Sequence, residues 1–245
     1  MHRIPGAPQQ PAGVTKIARG PYSMVFPDGV RPDSERALQV LNAIAGAIRV
    51  PGLPSALLDG LPIMVSLATR TNPDVDAVTY ADQRLIALPF QRWNKWPSAK
   101  LERVIRHEVA HVALAAHFGT DRMPRWLSEG FAEWATGPIS CEDETLLRLD
   151  LLSRGRAPML RVVSDSPTLG WTRLQYVYLA VFVGFLDAGN AVSNGRLLSA
   201  VRSEGLQGAM VKVYGAGLDT LEVRWWRSGL KQYRGELPAH LRCAL

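Results

Sequence analysis

Two histidines and a glutamate fall within five consecutive residues near the middle of the chain. His107, Glu108 and His111 form the pattern H-E-x-x-H. Four residues advance an α-helix by about 400°, so the two imidazoles project from nearly the same face and can reach one metal ion. Glu108 then lies beside that metal, where its carboxylate can accept a proton from a water molecule. The pattern is typical of zinc hydrolases, and its alternative is a surface helix that carries these residues without a metal.

The residues around the motif predict a long amphipathic helix. Pro97 and Ser98 suit its start, and Gly119 suits its end. Apolar side chains recur between them with helical spacing, at Leu101, Val104, Ile105, Val109 and Val112. The motif therefore lies in the middle of an element rigid enough to hold a metal site.

A zinc site usually has a third protein ligand, and His117 is the first candidate downstream. It follows His111 by six residues, which is the spacing of the third histidine in metzincins. That arrangement requires a helix-breaking glycine where this chain has Leu114. On an unbroken helix His117 points about 120° away from His111, so we interpret it as a packed or partly exposed histidine.

Glu129 is the second candidate, and Glu133 follows it by one helical turn. They lie in a segment that begins at Pro124 and ends at Gly137, and that reads as a short second helix. The other side chains of this segment are largely apolar, among them Trp126, Leu127, Phe131 and Trp134. Carboxylates in such surroundings are costly without charged partners, and a zinc ion with its histidine would supply them. Gly130 in the same segment indicates a close approach of the two helices.

Taken together, the two segments resemble the gluzincin metallopeptidases. They are most similar to the bacterial peptidase MA-like family, in which H-E-x-x-H is followed by P-x-W-L-x-E-G-x-A-E. Here the second pattern is Pro124–Glu133, and a weaker similarity extends over about residues 20 to 235. The resemblance implies one Zn²⁺ per chain, with His107, His111 and Glu129 as its ligands and Glu108 as general base.

Further roles follow from the same resemblance. Glu133 would hydrogen-bond a ligating histidine, in the first place His107; a solvated charge on the helix face is its alternative. Tyr176, or else Tyr178, would stabilise the oxyanion, and a buried structural tyrosine is the alternative for each. The family's sheet binds extended substrate along its edge strand, a role that would fall to Arg84–Leu88 unless this is an ordinary strand.

The implied fold is α+β and zincin-like, with a small N-terminal mixed sheet, a central zinc helix and a helical C-terminal lobe. We expect a disordered leader over residues 1–20, the N-terminal lobe over 21–137 and the helical lobe over 138–240. Strands are expected at 62–67, 75–80 and 84–88, after a helix that Asp33 or Ser34 caps. Beyond Pro138 the pattern predicts helices, which glycine-containing segments separate.

The implied reaction is hydrolysis of a peptide bond, in which a zinc-bound water attacks the carbonyl while Glu108 accepts its proton. The chain lacks the G-A-M-E-N element by which zinc aminopeptidases recognise a free amino terminus, which favours cleavage within a peptide or protein substrate. A catalytically silent relative that binds a peptide or partner protein is the first alternative. Intact Glu108 argues against it, because a non-hydrolytic zinc site needs no acid there.

Composition and charge restrict the other classes. Of 245 residues, 47% are hydrophobic, and the longest apolar stretch, Val177–Leu186, is too short to span a bilayer. The first twenty residues have no apolar core of a signal peptide, so the cytoplasm is the default compartment unless an upstream signal was omitted. Cys141 and Cys243 form one bridge or none.

The net charge of +6 raises the alternative of a basic protein that binds nucleic acid or a membrane surface. Its best local support is the basic and aromatic segment Arg224–Arg234. We expect a helix from about Asp219 to Tyr233 that is amphipathic and covers the core, with Leu221, Trp225 and Leu230 inward and several cations outward. The glutamates of the Trp126–Trp134 segment have no explanation if the protein binds nucleic acid, so we predict no specific nucleic-acid partner.

Overall fold

The computed structural model describes residues 15–47, 60–68, 76–119, 123–154, 172–188 and 193–234. These residues form two compact units, of which the first ends at Gly119 and the second begins at Met123. The first unit contains a small mixed sheet and two helices, and the second is helical. The predicted α+β class, with its small N-terminal sheet and mostly helical remainder, is confirmed at this level.

Five strands form the sheet of the first unit. They are β1 (Thr15–Arg19), β2 (Tyr22–Phe26), β3 (Ile63–Ala68), β4 (Val78–Tyr80) and β5 (Leu85–Pro89). Their order across the sheet is β1-β2-β3-β5-β4. The two outer pairs, β1 with β2 and β4 with β5, are antiparallel, whereas β3 runs parallel to both of its neighbours.

The N-terminal strand corrects one prediction. The expected disordered leader at 1–20 includes β1, which pairs along its whole length with β2. Gly20 adopts a left-handed φ of 57° and turns the chain back at once. The leader prediction was wrong for Thr15–Arg19, because a mostly polar segment can be a strand when a buried neighbour pairs with its backbone. Residues 1–14 of that prediction lie outside the described residues.

The other edge of the sheet corrects a second prediction. Arg84–Leu88 was assigned the role of edge strand, but Leu85–Pro89 is β5 and pairs with β3 on one side and β4 on the other. Both sets of its backbone groups are therefore already used within the sheet. The alternative, that this segment is an ordinary strand of the sheet, is confirmed. The edge strand on this side of the sheet is β4, Val78–Tyr80.

Two helices cover the sheet. Helix α1 (Ser34–Ala47) begins where the Asp33 carboxylate accepts a hydrogen bond from the Arg36 amide, 2.9 Å away. Helix α2 (Ser98–Phe118) carries the H-E-x-x-H motif and ends at Gly119, whose φ is 79°. The start and the end of α2 both agree with the sequence prediction. One apolar core joins both helices to the sheet, and its fully buried members include Val40, Ile44, Val65, Ile86, Ile105 and Val109.

The second unit consists of helices. They are α3 (Arg125–Ala135), α4 (Cys141–Arg154), α5 (Arg173–Ala188), α6 (Ser193–Tyr214) and α7 (Leu218–Arg224), followed by a π-helical turn at Trp225–Gly229. Helix α6 is broken at Gly205, whose φ of 70° and ψ of 174° are not helical, in agreement with the prediction that glycine-containing segments separate the helices. The predicted lobe boundary fell at 137, whereas α3 belongs to the second unit because it packs against α5.

Gly130 explains how closely α3 and α5 approach each other. A β-carbon at this position would lie 3.0 Å from Val183 Cγ2 and 3.2 Å from the carbonyl oxygen of Leu179. Both contacts belong to α5. The close helix approach that Gly130 predicted is therefore found between α3 and α5.

The C-terminal segment is amphipathic, as predicted. Leu221, Trp225 and Leu230 are buried, whereas Arg224, Arg227 and Lys231 are exposed. Within the described ranges, none of the helices combines the length and apolar character that crossing a membrane would need. Cys141 begins α4, and Cys243, its predicted optional partner, lies outside the described residues.

Candidate metal centre

His107 and His111 face each other on α2. Their Nε2 atoms are 3.1 Å apart, and their ring centroids are 4.8 Å apart with the planes steeply inclined. Both side chains are half-buried. Two nitrogens bound to one tetrahedral zinc at about 2.05 Å each would be about 3.3 Å apart. The separation therefore suits a shared metal ion, and it also allows one ring to donate its N–H to the other.

Glu129 on α3 completes a set of three ligand atoms. One atom from each of His107, His111 and Glu129 lies within 4.8 Å of the other two, and no other such group occurs among the described residues. The Glu129 side chain is 16% exposed, and its Oε1 is 3.8 Å from Nε of Arg125. Two imidazoles and one carboxylate are the donor set of many catalytic zinc sites, so the residues fit this metal.

Glu108 is a buried carboxylate between the two histidines in sequence, and it is 8% exposed. Its Oε2 accepts a hydrogen bond from the hydroxyl of Thr79, at an oxygen–oxygen distance of 2.5 Å. Thr79 lies at the centre of β4, and α2 packs against this strand. The candidate base is thus held by a residue of the sheet and not only by its own helix.

Glu133 is buried in the second unit, with 4% exposure. Its Oε1 accepts a hydrogen bond of 2.6 Å from Nη2 of Arg173, and the same guanidinium makes bonds of 2.7 and 2.6 Å to the two oxygens of Asp143. Burial alone lowers the pKa of Arg173, but the two carboxylates raise it above its ordinary value. The expected hydrogen bond from Glu133 to His107 stays a prediction.

The two candidate tyrosines differ in their surroundings. Tyr178 is 1% exposed, and its hydroxyl donates to Oδ2 of Asp150 at 2.9 Å. Its ring meets Trp225 edge to face, with centroids 6.1 Å apart. These contacts describe a structural tyrosine that links α5, α4 and the C-terminal turn. Tyr176, two residues earlier on α5, is only half-buried.

His117 is the next-to-last residue of α2. Its ring packs edge to face on Phe118, with centroids 4.6 Å apart, and the three-residue metal group does not include it. This agrees with its interpretation as a packed histidine.

Three further residues of functional interest were not found from the sequence. They are Thr79, Arg173 and Asp143. Nothing in a strand of three residues distinguishes a threonine that bonds a distant carboxylate, because Thr79 and Glu108 are 29 residues apart. The sequence did indicate that Glu129 and Glu133 need charged partners, because their neighbours are largely apolar. Arg173 is such a partner for Glu133.

Comparison with known proteins adds no assignment. A scan against protein-family models finds none that matches this chain, and a search of curated proteins finds no match either.

Proposed function

We propose that this protein is a zinc-dependent hydrolase of peptide bonds. The observation that carries the proposal is the grouping of His107, His111 and Glu129, whose ligand atoms lie within 4.8 Å of one another. A buried carboxylate, Glu108, accompanies these ligands. The donor set and the adjacent acid are the combination that metal-assisted hydrolysis needs.

Each residue has a chemical role in this proposal. His107, His111 and Glu129 hold the metal. When bound, zinc supplies Lewis-acid chemistry, which lowers the pKa of a water molecule and polarises a carbonyl group. Glu108 accepts the proton of the attacking water and returns it to the leaving amine nitrogen.

Tyr176 is the proposed donor to the oxyanion that forms on the carbonyl. The choice over Tyr178 is supported by the hydrogen bond that Tyr178 already donates to Asp150 and by its almost complete burial. A half-buried phenol has the access to a reacting group that a buried one lacks.

The proposed substrate is an extended peptide or protein segment that is cleaved internally. In support, β4 has a partner on only one side among the described strands, and an extended peptide can pair with such an edge through its backbone. The absence of the G-A-M-E-N element from the sequence gives no reason to expect recognition of a free amino terminus.

Metal content is the first test. We expect elemental mass spectrometry to find about one zinc per purified chain, and to find most of it lost from Glu129→Ala. Glu35→Ala, which removes an exposed carboxylate from the first turn of α1, is the matched control and should keep the metal. Zinc retained in full by Glu129→Ala would move the third ligand elsewhere. No zinc in any of these proteins, even after it is offered at neutral pH, would reject the proposal.

Cleavage of a peptide library is the second test. The wild-type protein should cut internal bonds, and Glu108→Gln should keep its zinc but lose at least about a hundredfold in rate, as expected for loss of a general base. Zinc binding without any cleavage by the wild type would instead favour the silent relative that binds a peptide or partner protein.

A further inference from the structure

The side chain of Thr79 is the hydrogen-bond partner of the candidate base. Its Oγ1 is 2.5 Å from Oε2 of Glu108 and 3.3 Å from the backbone oxygen of the same residue. A threonine hydroxyl has one proton, so the much shorter contact identifies the carboxylate as the acceptor. Among the described residues, no other side chain bonds this carboxylate in the structure. Both residues belong to the first unit.

A rigid element holds this hydroxyl. Thr79 pairs with Ile86 in the centre of the β4–β5 ladder, and its neighbours Val78 and Tyr80 pair with Ala87 and Leu85. The β-branched side chain restricts the rotation that remains. The donor is therefore fixed in position before any substrate arrives, as a supporting group for a catalytic residue must be.

The bond has two consequences for Glu108. A glutamate side chain has three rotatable bonds, and a short charge-assisted hydrogen bond of this kind selects one arrangement among their rotamers. Because the hydroxyl takes Oε2, the other oxygen, Oε1, keeps its lone pairs for the proton of a water molecule. The hydrogen bond thus fixes Oε2 in position, and Oε1 is the oxygen that can accept a proton.

We propose that Thr79 is a positioning residue, which holds Glu108 through Oε2 so that Oε1 takes the proton during hydrolysis. This inference rests on the proposed function. It makes the edge strand β4 part of the catalytic arrangement, since the residue that orients the base lies on the strand that an extended substrate would pair with.

The kinetic test replaces Thr79 by valine, which keeps the β-branched shape and removes the hydroxyl. With a peptide found in the library screen, Thr79→Val should lower kcat by about 10- to 100-fold, a part of what a general base contributes. KM should stay within about twofold, because the ground-state contacts of the substrate are untouched. Thr79→Ser keeps the hydroxyl and should restore most of kcat, and the zinc content of both variants should equal that of the wild type.

A second measurement needs neither zinc nor substrate. In metal-free protein, urea unfolding is followed for Thr79→Val, Glu108→Met and the double variant. Because the two side chains bond each other, the effects should be non-additive, with a coupling of about tenfold or more in the unfolding equilibrium constant. In a metal-free crystal of Thr79→Val, the Glu108 carboxylate should leave its present position.

Several results would overturn the proposal. An unchanged kcat in Thr79→Val would do so, and so would an increased one, which would mean that the bond holds Glu108 in an unproductive position. If Thr79→Ser lowered kcat as much as Thr79→Val does, the effect would come from packing of the methyl group and not from the hydroxyl. If the effects of Thr79→Val and Glu108→Met on the unfolding free energy were additive, the hydrogen bond itself would be rejected. If those effects were coupled but the protein cut no peptide, the bond would stand, and the proposed function would be rejected together with the catalytic role of Thr79.

Discussion

At the scale of single residues, the cation of Arg173 balances the charge of two buried carboxylates in the second unit. Glu133 and Asp143 are each 4% exposed, and the guanidinium of Arg173 bonds both of them. Arginine suits this position because its planar group offers several N–H donors in fixed directions. One cation therefore joins α5 to both α3 and α4.

Removing this cation should destabilise the fold. Arg173→Met leaves two buried carboxylates close together, which for a fully buried pair would cost about 3–5 kcal/mol. The Arg173 side chain is 40% exposed, so water screens part of its charge. We therefore expect the free energy of unfolding to fall by about 2 kcal/mol. Arg173→Lys keeps the charge without the two-pronged geometry and should lose less.

Urea unfolding measures both variants, with Arg202→Met as the control, since this exposed arginine lies on α6. If Arg173→Met and Arg202→Met unfolded at the same urea concentration, the ion cluster would have no net effect on stability.

The sequence predicts some residues of the candidate centre far better than others. His107, Glu108 and His111 come from one helix, so their spacing alone predicts their mutual geometry. Glu129 needed a second signal, which was the presence of carboxylates among large apolar side chains. Thr79 and Arg173 gave no such signal, because their partners are distant in sequence and their own types are ordinary for a strand and a helix start.

At the scale of elements, the helix ends were predictable and the strand order was not. Pro97 and Gly119 bound α2, and Pro124 precedes α3, because capping and termination depend on local backbone geometry. The order β1-β2-β3-β5-β4 depends on pairing between distant segments. For that reason neither β1 nor β2 was predicted from the sequence, and the prediction of the edge strand was wrong.

Gly130 offers a test of helix packing in which two effects oppose each other. Alanine is favoured over glycine by about 1 kcal/mol inside a helix. In Gly130→Ala, however, the new β-carbon would lie 3.2 Å from the backbone oxygen of Leu179, which cannot move without shifting α5. Overpacking of this kind costs about 1–3 kcal/mol, which exceeds or cancels the helix gain, so we expect a net loss of up to roughly 2 kcal/mol in unfolding free energy.

Gly46 near the end of α1 is the matched control, because a β-carbon there would meet no atom within 4 Å. Gly46→Ala should therefore be neutral or stabilising by up to about 1 kcal/mol. Thermal unfolding distinguishes the two variants by the sign of the change in Tm. A gain in Tm for both would show that α3 and α5 adjust freely and that the close approach does not restrict Gly130.

At the scale of the whole molecule, composition predicts the class but not the division of the chain. A protein of 245 residues with 47% hydrophobic composition has enough apolar material for a sizeable core. The two compact units divide between α2 and α3, not at the stop signal Gly137. The boundary follows the packing of α3 on α5, and such non-local packing cannot be read from a local stop signal.

Zinc should stabilise the whole protein if the proposed ligands bind it only in the folded state. Free zinc at one hundred times its dissociation constant would add about 2.7 kcal/mol to the unfolding free energy. For a chain of this size that corresponds to an increase of roughly 5–10 °C in Tm. Differential scanning calorimetry of metal-free protein, with and without zinc, measures this increase, and magnesium should produce none because it prefers oxygen ligands.

His111→Ala separates a specific site from general metal binding. This variant should lose most of the zinc-dependent increase in Tm, because only His107 and Glu129 of the proposed ligands remain. His117→Ala removes a histidine of the same helix that is not in the ligand group, and it should keep the full increase. Equal responses of the two variants would mean that zinc stabilises the protein through other residues, and the proposed centre would then have to be abandoned.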